Sequence, residues 1–323
     1  MKNPQNKVLI QLYSTMVKVR HFEEAVVRFY PEERMKTPVH LYIGQEAIAT
    51  GVCCALKPSD YVFATHRGHG VYIAKGGDLK RLAAELYGTV EGCSRGKGGS
   101  MHIVDKARGV CGTTAIVGGN IPLAVGAALA SSIRNSGEVA CAFFGDGATD
   151  QGVFYESLNF ASLRKLPVVF ICENNFYATH SHQLERQALD NIFERGSCFG
   201  VPGERVDGNN VLAVFSSARK AIRRARAGRG PMLIECRTYR WKSHVGPKSD
   251  EDLGLPPKEH LHKWLKRCPI KKFKKYLIKN RVISKEEDSE LIEGIDSEIN
   301  EAFDFAKQCK MPDGKMLCKH IYV

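Results

Sequence analysis

The sequence predicts an α/β protein, a three-layer parallel sheet with helices on both faces, followed by peripheral C-terminal helices. Short apolar runs alternate with segments of helical period through the first 250 residues, the pattern of strands joined by crossover helices. Several of these runs, Val139 to Phe144 among them, are apolar throughout, as strands covered on both faces are. From about Ser249 the chain turns polar and then into lysine- and glutamate-rich helical stretches. The expected division is an α/β domain over residues 1–250 and a helical extension over 251–323, with a boundary near Leu255-Pro256-Pro257. A chain of 323 residues with 43% hydrophobic and 25% charged residues can bury the core that this needs.

Each element follows from its own stretch. Val8 to Tyr30 carries apolar positions at helical spacing, Thr37 to Gly44 reads as a short connection, and Gln45 to Leu56 as a second helix that Lys57-Pro58-Ser59-Asp60 ends. Tyr61 to Thr65 is a strand and Asp78 to Gly88 a helix. Two glycine-rich stretches, Gly92 to Gly99 and Gly109 to Gly119, flank Ser100 to Arg108 and make a long connection, a feature that usually carries function. Strand, helix and strand follow at Glu138 to Phe144, Gln151 to Leu166 and Leu166 to Asn174. A helix around Ala218 to Gly228 then leads into the strand run Pro231 to Arg240. No internal repeat is visible, which excludes solenoids and propellers.

Composition narrows the function classes. The net charge of +12 peaks in Lys266 to Arg281, without the interleaved aromatics of a nucleic-acid module. This stretch reads either as a solvated helix face or as a surface for an acidic protein partner. No secretory signal and no run of about 18 apolar residues is found, so no membrane role is expected. The 11 cysteines are odd in number and lack C-x-x-C pairs, which fits reduced thiols in a cytoplasmic protein.

Gly145-Asp146-Gly147-Ala148 stands directly after the strand run ending at Phe144 and is expected to open a helix. A glycine-flanked aspartate at the carboxyl end of a parallel strand lies where open α/β sheets place ligands. Glycines let backbone N–H groups approach a phosphate, and a helix start favours the anion. Asp146 would repel a diphosphate unless a divalent cation lay between them, so the arrangement makes sense as a magnesium site. Such triplets also occur in ordinary turns. One helix and one strand later comes Glu173-Asn174-Asn175. Successive parallel strands are usually neighbours, so both strand ends can supply oxygen ligands to one ion.

Gly-Asp-Gly followed at this interval by Asn-Asn resembles the thiamine diphosphate binding motif. The whole stretch from Gly145 to Ala178 resembles the alpha subunit of the first component of 2-oxo-acid dehydrogenase complexes, the pyruvate, branched-chain and acetoin dehydrogenases. Further blocks in the family order are His40 to Ala47, Thr65 to Gly70, Gly96 to His102, Ala115 to Ala130, Arg205 to Asn210 and Thr238 to His244. The resemblance implies a thiamine diphosphate-binding fold with magnesium held by Asp146, Asn175 and the backbone carbonyl of Tyr177. It places Gly147 and Ala148 at the diphosphate turn, Arg67 on the diphosphate, and Ala115 and Val117 around the aminopyrimidine ring with Ile116 between them. His244 becomes the active-site histidine near the cofactor, while His69 and His40 line the substrate approach.

The resemblance also implies a small 2-oxo acid or ketone substrate, acyl transfer to a lipoyl-bearing acyltransferase component or another acceptor, and a beta subunit that completes the site in a heterotetramer. Asn174 reads as a strand-end hydrogen-bonding residue, His102 as a buried, satisfied histidine, and Met101 and Phe176 as packing residues. The chain departs from the family in three places. His66 stands where a pyruvate-type tyrosine meets the diphosphate, the stretch after His244 does not match the serine loop that kinases phosphorylate, and Asp252 to His260 lacks the usual tyrosine-arginine pair. A carboligase or transketolase-like half-enzyme, and a non-catalytic regulatory subunit, are the alternatives.

Overall fold

The computed structural model describes residues 4–35, 37–250, 258–316 and 318–319. The sheet has strands β1 (Tyr61–Thr65), β2 (Val110–Thr114), β3 (Ala140–Gly145), β4 (Val168–Asn174), β7 (Gly203–Asp207) and β8 (Met232–Arg237), in the order β2-β1-β3-β4-β8-β7 with every pair parallel. Strands β5 (Tyr177–Ala178) and β6 (Ser181–His182) form a small antiparallel hairpin. β3 and β4 are neighbours in the register Ala140↔Val168 through Gly145↔Glu173, which sets the two motif-bearing tips side by side.

Alternate residues of the central strands feed two separate cores, because successive side chains in a strand point to opposite faces. Cys141, Phe143, Val169, Ile171 and Ile234 join one core, while Ala142, Phe144, Phe170, Cys172 and Leu233 join the other. The first core lies under helices α1 (Pro4–Phe29), α2 (Glu46–Cys53), α3 (His69–Ala74), α4 (Leu79–Leu86) and α8 (Val211–Arg226). The second lies under α5 (Asn120–Arg134) and α6 (Gly152–Leu163). In α1 the buried positions Leu12, Met16, Val19, Phe22 and Val26 recur every three or four residues.

A four-residue helix α7 (Gln183–Arg186) follows the hairpin, and α9 (Lys258–Leu265), α10 (Pro269–Lys279) and α11 (Lys285–Gln308) complete the chain. Ser284 caps α11 through a reciprocal bond with Glu287: its Oγ accepts from the Glu287 N–H at 3.1 Å, and its own N–H donates to Oε2 at 2.9 Å. Ile295, Ile299 and Phe303 of α11 and Phe273 and Leu277 of α10 join the same core as α1. The proposed boundary at Leu255-Pro256-Pro257 lies outside the described residues.

The sequence reading assigned no element to β2, α3, α5, β7, the β5–β6 hairpin or α7. Half of the second glycine-rich stretch is the edge strand β2, and α5 and β7 fill stretches read only as motif blocks. The helix after Gly145-Asp146-Gly147 does not begin at once, because residues Asp146–Asp150 form a 3-10 turn before α6. Alternating small and β-branched residues with glycines give weak local signals, and sheet pairing and helix packing decided these segments.

Candidate active site

Four strand ends and the stretch after a fifth converge on one cleft of about 200 Å³. β1 delivers His66 and Arg67, β2 delivers Ala115, Ile116 and Val117, β3 delivers Asp146, Gly147 and Ala148, and β4 delivers Glu173 and Asn175. Arg240 and His244 follow β8, and His40 and Gln45 come from the connection before α2. All lie at the carboxyl edge of the sheet, beside the point where the strand order reverses between β1 and β3, where ligands bind in open α/β sheets.

Asp146 is 1% exposed. Its Oδ2 pairs with Arg186, which also pairs with Asp150. Its Oδ1 is buried without a hydrogen-bond partner among the described residues. Burial raises its pKa to about 6, against the lowering pull of Arg186. At the neighbouring tip, Asn175 donates from Nδ2 to Gln45 Oε1 at 2.9 Å and accepts at Oδ1 from the Tyr177 N–H at 3.2 Å. Phe176 between them is left-handed, with φ 71°, a conformation that a bulky residue holds only when its surroundings enforce it. The Phe176 carbonyl accepts from the Gln183 N–H at 2.7 Å, which anchors that kink. Asn174 is fully buried, donating to Gln183 and Glu235 and accepting from the Phe176 N–H, so it is the strand-end bonding residue expected.

On the opposite wall His40, His66 and His244 meet ring to ring, with centroid separations of 4.6, 5.4 and 5.1 Å. Burial, then the nearby Arg67, lowers their pKa values to about 4, 2 and 3 respectively. All three are therefore neutral at neutral pH. Arg67 is 4% exposed and donates to the carbonyls of Leu41 at 2.5 Å and His244 at 3.4 Å. Ala115, Ile116 and Val117 are exposed at the mouth, on a turn that needs Gly118 at φ +78°.

His69 does not line this cleft. It is fully buried, with Nδ1 3.0 Å from Glu23 Oε2 and Nε2 2.9 Å from Ser100 Oγ, and both ring nitrogens are spent on holding α1 and the glycine-rich loop. His102 is exposed rather than buried. Met101 lies on the cleft wall, and Phe176 packs against His182 and Trp264.

The sequence reading gave no role to three cleft residues, Glu173, Gln45 and Arg240, or to Arg186, which pairs with Asp146 from outside the lining. Glu173 is buried beside Arg67, accepts from the Tyr42 hydroxyl, and has its pKa raised by burial to about 7. A charged residue ending the apolar run Val168 to Cys172 was its available signal. Gln45 and Arg240 lie inside the blocks His40 to Ala47 and Thr238 to His244 but carried no assigned role there, and Arg186 reaches Asp146 from a segment that no block covers.

A cation-bound diphosphate fits these residues. A buried carboxylate oxygen without a partner, an amide oxygen at the tip of the neighbouring strand, and a Gly145 whose added Cβ would meet nothing within 4 Å are the oxygen donors and the space that a hard cation needs. The family model described as the dehydrogenase E1 component matches residues 13–315. The alpha subunit of acetoin:2,6-dichlorophenolindophenol oxidoreductase of Bacillus subtilis is 40% identical, over 97% of this chain and 92% of the relative. The pyruvate dehydrogenase E1 component subunit alpha-3 of Arabidopsis thaliana is 39% identical, over 97% of this chain and 74% of its own length. The corresponding Zymomonas mobilis alpha subunit is 38% identical, over 98% and 88%. The chain therefore belongs to the dehydrogenase E1 component family, among the alpha subunits of its thiamine diphosphate-dependent oxidoreductases acting on an oxo group.

Proposed function

We propose that the chain binds thiamine diphosphate and magnesium in this cleft, works with a beta subunit in a heterotetramer, and cleaves or decarboxylates a small 2-oxo acid or an acetoin-type ketone. The observation that carries the reading is Asp146 Oδ1, buried and unpartnered at the tip of β3 beside the tip of β4. Asp146, Asn175 and the Tyr177 carbonyl would hold the magnesium ion, with Gly147, Ala148, His66 and Arg67 around the diphosphate. Ala115 and Val117 would hold the aminopyrimidine by their backbone. When bound, thiamine diphosphate supplies an electron sink for the carbanion left as the bond to the substrate carbonyl carbon breaks.

The chain's own residues set the environment for that step. His40 and His244, both neutral, each offer one ring nitrogen that donates a hydrogen bond and one that accepts one at the substrate. Ile116, 72% exposed, presents an apolar side chain at the mouth where water would otherwise stand. Leu123 and Ile133 of α5 and Phe160 and Leu163 of α6 are exposed on adjoining helices of the same half of the molecule, a surface suited to the beta subunit. The acyl acceptor is proposed to be a lipoyl group on an acyltransferase component. Free thiols at all eleven cysteines and the absence, among the described residues, of a helix able to cross a membrane support a cytoplasmic setting.

Calorimetry of the alpha–beta pair tests the site. Asp146→Ala should weaken magnesium-dependent thiamine diphosphate binding by about a hundredfold or more, since it removes a direct metal ligand. Unchanged affinity in that variant refutes the assignment.

A further inference from the structure

We infer that Arg186 is the positioning residue of the metal site: from outside the cleft lining it fixes the Asp146 carboxylate so that one oxygen stays open to a cation. The inference rests on the metal reading of Asp146 proposed above. The Arg186 side chain, 17% exposed, bridges the two ends of the 3-10 turn, with Nη2 donating to Asp146 Oδ2 and Nη1 to Asp150 Oδ2. A planar fork of donors suits two carboxylates that a single amine would not span. Its Nε donates to the Ser181 carbonyl at 3.4 Å, which ties the bridge to the β5–β6 hairpin.

The other carboxylate oxygens of the turn are taken. Gln187 donates from Nε2 to Asp150 Oδ1 at 2.6 Å and to the Asp146 carbonyl at 3.3 Å, and the Thr149 hydroxyl donates to the same carbonyl at 2.7 Å. Gln187 is held in turn, its Oε1 accepting from Arg195 Nη2 at 2.8 Å. Asp146 Oδ1 is left without a partner among the described residues. Asp150, an acid four residues away, would otherwise compete for the ion; closed off by Arg186 and Gln187, it leaves Asp146 as the acid presented. Arg186 also screens two negative charges that would repel each other across one turn. The same segment reaches the β4 side of the site, because Gln183 accepts from Asn174 Nδ2 at 2.9 Å and donates its N–H to the Phe176 carbonyl at 2.7 Å. The Arg186 bridge therefore registers the tip of β4 against the tip of β3. The hairpin lies close enough that a Cβ added to Gly147 would stand 2.8 Å from the Ala178 Cβ.

Titration of manganese into the alpha–beta pair with thiamine diphosphate, followed by electron paramagnetic resonance, tests this role. Arg186→Gln should weaken manganese binding about tenfold or more, as losing a partner that orients a metal ligand does. Arg186→Lys keeps the charge without the fork, so it guards against a glutamine variant that fails to fold, and it should show a smaller loss with an altered spectrum of the bound ion. A staple that only holds the turn would lower the melting temperature of the ligand-free chain and leave affinity and spectrum alone. Parental affinity and spectrum in each Arg186 variant that folds overturn the inference. Asp146→Ala is titrated beside them: parental binding there sinks the metal reading itself, whereas a loss there with none at Arg186 refutes the positioning role alone.

Discussion

Asp146 carries the cost that defines this cleft. A buried carboxylate oxygen without a partner costs about 1–3 kcal/mol or more, and a fold retains such an atom where something else is to bind it. The three histidines on the other wall bear a related cost, visible as pH dependence. An unfolded histidine has a pKa near 6.5, and burial beside Arg67 takes His40 to about 4 and His244 to about 3. A depressed folded pKa means that the unfolded chain binds the extra proton first, so the stabilisation is complete above pH 6.5 and lost as pH falls towards 4 and below. The melting temperature of the ligand-free chain should therefore drop over that window, and a His40→Asn, His66→Asn double variant should show a shallower drop. Differential scanning fluorimetry across pH checks this, and parallel curves for both proteins count against it.

At the level of elements, the glycine-rich loop before β2 hangs on one side chain of α4. Glu85, fully buried, accepts from the backbone N–H groups of Ser94 at 2.7 Å, Gly96 at 3.0 Å, Gly98 at 2.8 Å and Gly99 at 3.0 Å. The same loop runs on to Ser100, which His69 holds, and to Met101 on the cleft wall. Glu85→Ala would leave four donors without their acceptor and should destabilise the chain by about 3 kcal/mol or more. Hydrogen exchange should show the loss concentrated in residues 94–99, while a uniform loss over the whole chain would mean that Glu85 does not act as the loop's anchor.

The molecule as a whole is a sheet whose carboxyl edge is open and whose α5 and α6 faces are apolar. Ile133 is 72% exposed and Leu163 75% exposed, more than a chain that works alone has reason to leave in water together. The double substitution Ile133→Glu, Leu163→Glu should leave the fold intact, because neither side chain enters a core, and should weaken association with the beta subunit about tenfold or more. Sedimentation of the mixed chains measures this, and undiminished association would place the interface elsewhere.

The α/β class, the order of most elements, and the Asp146 and Asn175 pair were legible in the chain itself. Apolar runs and a glycine-flanked aspartate are local features, and parallel connectivity makes successive strands neighbours. Folding alone decided the rest. His69 stands close in sequence to Arg67 yet points away from the cleft, because it opens α3 and its ring is turned to Glu23 and Ser100. Arg186 reaches Asp146 and Arg240 reaches the cleft wall from segments that only the folded chain brings together. Strand periodicity fixes which face a side chain takes, whereas the partner it meets across a gap in sequence depends on packing of the complete chain.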